Sequence, residues 1–388
     1  MLSRLCRAYS RVPRDRSSNA SEESNAGNPE RTLTVLKDET NYTLDKISKV
    51  IRGYFFLFTS NKNQEVKHHW ANDPIVVESI KKITPLIPTM SPDHILLLIS
   101  NLSILRVKDQ EIWTSLESAF INTAHKSAYP ENLPSMSVSF ANAGRKNSEL
   151  WFLIEEKIMT EVYPEHQFNA RGVSDLFKAF GESRYGSEKF YEKLKENALA
   201  TIDAMTAIDL MKILNVHSLL RAINPDFLEV LLSKSLEIIT NFGTPYKYNL
   251  LESTIILGGK DKYLDIFEKS VLEVMSQIRF VNFAVLSGAY GRLDSSKKNE
   301  NRKNFMVVLE QEYCKKRDTM LKTSRANSIF REVRIFWGFS KFDLCSNQEV
   351  WKAFLKDFAG INKEDLTDSM KNVVEELEIY GKEKNLIS

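Results

Sequence analysis

Residues 137–151 have the sequence SVSFANAGRKNSELW, and residues 176–191 repeat its outline as LFKAFGESRYGSEKFY. In each stretch a phenylalanine, Phe140 or Phe180, stands eleven residues before an aromatic residue, Trp151 or Tyr191. Between them lie small residues, a glycine, a basic residue and a polar residue typical of a helix N-cap. A pattern that returns at a fixed distance predicts a repeat protein.

The last position of this pattern recurs along most of the chain, and we call the residues that occupy it the anchors. They lie 36 to 46 residues apart, and an apolar residue follows each of them after three positions. The anchors are Trp113, Trp151, Tyr191, Leu228, Leu264, Phe305 and Trp351. A period of this length, with two amphipathic stretches per unit, predicts stacked helix-turn-helix repeats, because one helical pair alone cannot bury both of its faces.

The predicted fold is therefore all-α, a right-handed superhelical solenoid of helix-turn-helix repeats of about 36–46 residues. About seven hairpins are expected in residues 90–357, after an N-terminal helical cap or degenerate repeat in residues 32–89. A C-terminal capping helix is expected in residues 358–388, and the polar segment 294–303 is expected to be an exposed insertion. A single bundle of unrelated helices is the alternative.

The turns carry their own signals. Ser91, Ser187 and Asn224 each precede a proline or an acidic residue, which predicts that they cap the following helices. Glycines lie near most of the turns, where a positive φ is expected.

The first sixteen residues form a separate segment. Residues 1–16 contain five arginines and one aspartate, and Leu2, Leu5 and Tyr9 share one helical face. An arginine-rich, acid-poor amphipathic start predicts a mitochondrial targeting segment, and hence a location in the matrix or on the matrix side of a membrane. A merely basic tail is the alternative. Residues 17–31 are polar and are expected to be a linker.

The charge balance restricts the partners. The whole chain carries a net charge of +2 and residues 1–16 carry +4, so residues 17–388 carry −2. This counts against indiscriminate nucleic-acid binding, because that affinity comes from lysines and arginines that neutralise phosphates. No apolar run approaches the roughly 18–20 residues that cross a bilayer, so the protein is not expected to be transmembrane.

No arrangement of residues predicts a reaction. The histidines do not form the HExxH pattern of a zinc protease, and Gly258-Gly259-Lys260 is followed by Asp261 where a phosphate loop has a serine or threonine. The three cysteines form no CxxC motif, which favours a reducing compartment. We therefore expect no enzyme activity, no cofactor, no metal site and no small-molecule substrate.

Two of the repeats also resemble a known family. SMSVSFANAGRKNSELWFLI (residues 135–154) and DLFKAFGESRYGSEKFYEKL (residues 175–194) are similar to repeats of FAST-kinase-like and RAP-domain proteins, which are related to heptatricopeptide and octotricopeptide repeats. The matching positions are Phe140-Ala141, Phe180-Gly181 and Phe339-Ser340-Lys341-Phe342. The resemblance covers about residues 90–357 and implies an organellar location and RNA partners. The family's RAP domain is not recognisable, because this chain ends in a predicted helix.

Basic residues occupy the turn between the two helices in every repeat, and stacking would place them along one edge. We call this set the basic edge: Arg106, Lys108, Arg145, Lys146, Arg184, Arg221, Lys260, Lys262, Arg292 and Lys341. The spacing suits an RNA backbone. A solvated edge without a ligand is the alternative.

Two functions fit the sequence best, and a cytosolic adaptor is the remaining possibility. The first is a mitochondrial repeat protein that binds organellar RNA for transcript stability, processing or translation. The alternative is an architectural subunit of a large mitochondrial complex (a mitoribosome, ATP synthase or respiratory complex) that acts through protein contacts. Basic-edge cations without neighbouring acids favour the first function, and cations paired with acids favour the second.

Overall fold

The computed structural model describes residues 50, 53–54, 70–163, 166–323, 328–360 and 366–387. The predicted targeting segment, the linker and most of the predicted N-terminal cap lie outside the described residues. Helix makes up 80% of the structure and no strand occurs among the described residues, which confirms the all-α prediction. None of the described helices has the length and apolar composition needed to cross a membrane. The chain divides into two units, Met1–Thr201 and Ile202–Ser388.

The described part of the first unit consists of one helix followed by three helical hairpins. The helices are α1 (Pro74–Ile83), α2 (Pro92–Leu105), α3 (Gln110–Ala119), α4 (Leu133–Asn142), α5 (Ser148–Lys157), α6 (Ala170–Ser183) and α7 (Glu188–Ala200). The first helices of the hairpins pack in succession, α2 against α4 and α4 against α6.

The described part of the second unit consists of four hairpins and a terminal helix. The helices are α8 (Ala207–Leu220), α9 (Pro225–Glu237), α10 (Thr244–Ile256), α11 (Asp261–Leu272), α12 (Phe280–Gly291), α13 (Glu300–Thr323), α14 (Ser328–Ser340), α15 (Gln348–Phe358) and α16 (Asp368–Glu383). Each first helix packs against the next, from α8 through α10, α12 and α14 to the terminal helix α16. The second helices α9, α11 and α13 also pack in succession.

The anchors lie on the second helix of each hairpin and form its core. Six of them are buried, and Tyr191 is half-buried. The apolar residues three positions later are buried as well, with one exception. Val308 is 39% exposed and its neighbour Leu309 is buried instead, because the buried stripe of α13 runs through Phe305, Leu309 and Tyr313.

The turns explain why the repeated pattern is eleven residues long. The backbone N–H of Arg145 donates to the carbonyl oxygen of Phe140 at 3.0 Å, and the Arg145 carbonyl accepts the indole N–H of Trp151 at 3.1 Å. The first bond spans five residues and closes the end of α4, and the second spans six and ties α5 to the turn. The same two bonds join Leu102, Val107 and Trp113 in one hairpin and Phe180, Tyr185 and Tyr191 in another.

The N-caps occur as predicted, but glycine does not fill every left-handed position. Ser91, Ser187 and Asn224 accept hydrogen bonds from the first turn of the following helices. Three arginines adopt positive φ at the ends of first helices, namely Arg106 (63°), Arg184 (62°) and Arg221 (53°). A side chain in this region costs about 1–2 kcal/mol, so the hairpin geometry, not the residue type, imposes the conformation.

The segment 294–303 is mostly exposed, but the expectation is wrong for Arg302. This residue lies in the first turn of α13 and its side chain is fully buried. Its guanidinium is enclosed by carboxylates of α11, because it donates to Glu268 at 2.9 Å and also pairs with Asp265 and Asp261. A charge is stable in the core only with such partners, which a scan of local polarity does not reveal.

Candidate functional site: the turn edge

All ten residues of the basic edge lie in or beside a turn between the two helices of a hairpin. Five belong to the first unit and five to the second. Their surroundings differ, because some side chains bind acids of the preceding hairpin and others face solvent. The distinction decides which of them are available to a partner.

Arg145 connects two neighbouring hairpins. Its Nε donates to the Glu117 carboxylate of α3 at 2.6 Å, and its terminal nitrogens donate to Gln110 at 3.1 Å and Thr114 at 3.2 Å. Asn147, the N-cap of α5, donates to the other Glu117 oxygen at 2.9 Å. Glu117 is 5% exposed, so this ion pair is largely shielded from water and its hydrogen bonds are correspondingly strong.

Lys260 and Lys262 are also paired. Both bind Glu229 of α9, at 3.1 and 2.7 Å, and the Tyr263 hydroxyl donates to the same carboxylate at 2.8 Å. The hydrogen bonds from Lys262, Tyr263 and Lys260 lower the pKa of Glu229 to about 2. The carboxylate therefore stays ionised over the physiological range and neutralises part of this edge.

Two further cations are used within their own unit. Lys341 pairs with Glu376 of α16 at 2.8 Å and lies over the ring of Trp337, with 5.6 Å between Nζ and the ring centroid. Lys108 donates to the backbone carbonyl of Asn142, at the end of α4, at 2.7 Å.

The remaining cations are exposed, as Lys260 and Lys262 also are (68% and 58%), but they bind no acid among the described residues. Arg292 forms no ion pair with a described residue, but it lies within electrostatic range of Glu252. Four cations have neither an ion pair nor a side-chain hydrogen bond within the described ranges: Arg106, Lys146, Arg184 and Arg221. The basic edge is thus divided between turn contacts that join hairpins and isolated exposed charges.

The acids that receive these contacts were missed from the sequence. Each lies on the second helix of one hairpin and accepts hydrogen bonds from the turn or the helices of the next hairpin. Besides Glu117, Glu229 and Glu268, the set contains Glu155, which accepts from the backbone and side chain of Ser187, and Glu310, which accepts from Ser346 N–H and the indole of Trp351. We call these five residues the bridging acids. A signal existed, because Glu117, Glu155 and Glu268 each stand four residues after an anchor.

Comparisons with known proteins give no identification: no family model matches this chain, and no curated protein matches it at a significant level. The resemblance to FAST-kinase-like and RAP-domain repeats therefore stays a prediction from the residue pattern.

Proposed function

We propose that this protein is a non-catalytic helical-repeat scaffold, an architectural subunit that holds protein partners within a large mitochondrial complex. In this proposal the hairpins build the right-handed superhelical solenoid that the repeat period predicts. The mitochondrial location rests on the arginine-rich residues 1–16, and the matrix or the matrix side of a membrane is the expected compartment.

One observation carries the proposal: carboxylates of the bridging acids already form ion pairs with cations of the turns. Arg145 is held by Glu117, and Lys260 and Lys262 share Glu229. A surface that binds RNA gains most of its affinity from cations that release counterions when they meet phosphates. Cations already neutralised by carboxylates contribute little to this, whereas they do hold neighbouring hairpins in register. A rigid array with a near-neutral surface suits a scaffold.

RNA binding by the first unit is the second candidate. Arg106, Lys146 and Arg184 are exposed, lack an acidic partner among the described residues and occupy three successive turns of that unit. This arrangement, together with the family resemblance, supports a local contact with a phosphate backbone.

The two candidates differ in what holds the native particle together. The experiment is to extract a tagged copy of the full chain from mitochondria and to measure the particle's size before and after RNase treatment. We expect a particle of unchanged size with a fixed set of protein subunits. Recovery of the tagged protein from another compartment would contradict the mitochondrial part of the proposal.

A particle that shrinks on RNase treatment would contradict the scaffold role, provided that the protein crosslinks to RNA. Lys146→Glu and Arg184→Glu are then the informative variants, because both side chains are exposed and unpaired with described residues. Arg145→Glu is unsuitable, since it places a second carboxylate against Glu117 and disturbs the fold itself.

A further inference from the structure

Three arginines converge on one face of the second unit. The first helices α8, α10, α12 and α14 pack in succession. Arg221 ends α8, Arg292 ends α12, and Arg334 lies in the middle of α14. All three side chains are exposed, and none forms an ion pair with a described residue.

The close approach of α12 and α14 brings two of these arginines together. A methyl group at Gly338 would overlap the carbonyl of Ser287, so the two backbones are in contact. A methyl group at Gly288 would lie 3.9 Å from Cβ of Arg334, which places the stem of Arg334 over this glycine. Arg292 follows Gly288 by one helical turn and therefore lies on the same side of α12.

An acid lies close to two of the three arginines. Glu252, on α10 between α8 and α12, is half-buried, and the charges of Arg292 and Arg334 act on it. Burial, and then the like charges of Arg221 and Arg334, lower the pKa of Arg292, so all three guanidinium groups lie within electrostatic range. Three guanidinium groups near one carboxylate leave an excess of positive charge among these four described residues.

Two exposed leucines adjoin one of the three arginines. Leu219 and Leu220 precede Arg221 and are 52% and 38% exposed, which is unusual for two adjacent leucines of a folded protein. A ligand for this face must therefore supply carboxylates or phosphates together with apolar groups.

We propose that Arg221, Arg292 and Arg334 form a docking site for an acidic, leucine-containing segment of a protein partner. The inference rests on the proposed scaffold function and deepens it. A nucleic acid fits less well, because the exposed apolar residues beside Arg221 are aliphatic, whereas unpaired bases stack on aromatic rings.

The test is a binding titration with the full-length protein and a fluorescein-labelled synthetic peptide in which pairs of glutamates alternate with leucines. A peptide with glutamine for glutamate is the charge control, and oligouridylate of equal charge is the nucleic-acid probe. We expect Arg221→Gln, Arg292→Gln and Arg334→Gln each to weaken binding of the acidic peptide by about fivefold. Glu252→Gln is expected to strengthen it, because the repelling carboxylate is gone.

Arg184→Gln is the matched control, since Arg184 is also an exposed arginine at the end of a first helix but lies in the other unit. It should leave peptide affinity unchanged. A triple variant that binds the peptide like wild type would overturn the inference. So would tighter binding of oligouridylate that is lost in the same variants, which would mark a nucleic-acid site.

The two proposals fail in different ways. An RNase-resistant particle that retains the triple variant with all its subunits would overturn this docking site and leave the scaffold function intact. An RNase-sensitive particle would contradict the scaffold function whatever the peptide does.

Discussion

The indole of Trp151 packs edge-on against the phenyl ring of Phe180, with ring centroids 5.0 Å apart and planes inclined by 70°. The two rings belong to neighbouring hairpins, since Trp151 lies on α5 and Phe180 on α6. Trp113 meets Phe140 in the same way one hairpin earlier, at 6.1 Å. The two ends of the repeated pattern are therefore also the two halves of the contact between hairpins.

Removal of the Trp151 ring should strongly destabilise the protein. Trp151→Ala is expected to lower the free energy of unfolding by about 3–5 kcal/mol, because it empties a buried site and leaves the turn carbonyl of Arg145 without its donor. Urea unfolding followed by circular dichroism measures the change. Phe152→Ala is the control, because Phe152 is 62% exposed and its loss should stay within about 0.5 kcal/mol.

A double-mutant cycle isolates the ring contact itself. With Phe180→Leu as the second change, we expect a coupling energy of about 1 kcal/mol between positions 151 and 180. Additive effects would show that the two rings fill space without a specific interaction.

Substitutions at the adjacent basic residues Arg145 and Lys146 should change the stability of the protein by different amounts. Arg145→Met leaves the buried Glu117 carboxylate with Asn147 as its remaining partner from this turn, and should destabilise the protein by about 2–3 kcal/mol. Lys146→Met should change stability by less than about 0.5 kcal/mol, because Lys146 is exposed. Thermal unfolding of both variants under one buffer compares them directly. Equal melting temperatures would contradict the bridging role of Arg145.

The buried network of Glu268 should make stability depend on pH. Arg302 alone cannot neutralise the three carboxylates that surround it. Burial therefore raises the pKa of Glu268 from 4.5 to about 7, although Tyr290 and Arg302 donate hydrogen bonds to it. The folded protein therefore binds this proton more tightly than the unfolded chain. The associated stability is present below pH 4.5 and is lost as the pH rises through 7, on the order of 3 kcal/mol in all.

Glu268→Gln tests this dependence, because the amide cannot ionise. We expect the variant's stability to change less than that of wild type between pH 4.5 and 7. Glu300→Gln, at an exposed glutamate, should preserve the wild-type slope. Parallel profiles of Glu268→Gln and wild type would show that another group titrates.

Gly338 should tolerate no side chain. Gly338→Ala forces a methyl group into the Ser287 carbonyl, which separates α12 from α14 at a cost of about 2–3 kcal/mol. Gly360→Ala is a suitable control, because a methyl group there meets Asp357 at an ordinary 3.6 Å. Denaturant midpoints of the two variants measure the difference, and similar midpoints would contradict the close packing.

Replacement of Arg184 by glycine should increase the stability of the folded protein. Arg184→Gly removes a side chain from positive φ and should stabilise the protein by about 0.5 kcal/mol, despite the greater freedom of glycine in the unfolded chain. Gly144→Ala is the reciprocal change, and a methyl group there meets nothing within 4 Å, so its cost of about 1 kcal/mol is conformational. A loss of stability in Arg184→Gly would mean that the arginine side chain itself supports the turn.

The sequence predicts the structural features that depend on residues close together in the chain. The eleven-residue distance from Phe140 to Trp151 is fixed by hydrogen bonds inside one turn, and it therefore recurs visibly. The N-caps are local as well. The positive φ of Arg184 is not predictable from residue type, because the geometry of the hairpin imposes it.

Contacts between hairpins are harder to predict. Glu117 looks like an ordinary exposed acid on a helix, and its role depends on Arg145 in the next turn, 28 residues later. The burial of Arg302 depends likewise on acids of α11. The cluster of Arg292 and Arg334 exists because two glycine-containing helix faces meet, which no local pattern signals.

The Trp151–Phe180 contact also has a consequence for how such a chain grows. The middle hairpin of the first unit, α4–α5, presents Trp151 and Glu155 to the hairpin that follows it, and Phe140 and Asn147 to the hairpin that precedes it. These two surfaces differ, and they complement the neighbour rather than themselves, so the association is heterologous and open-ended. A gene duplication that copies one whole hairpin in tandem would join surfaces that already fit, whereas insertion of half a hairpin would separate the matched pair at the point of insertion.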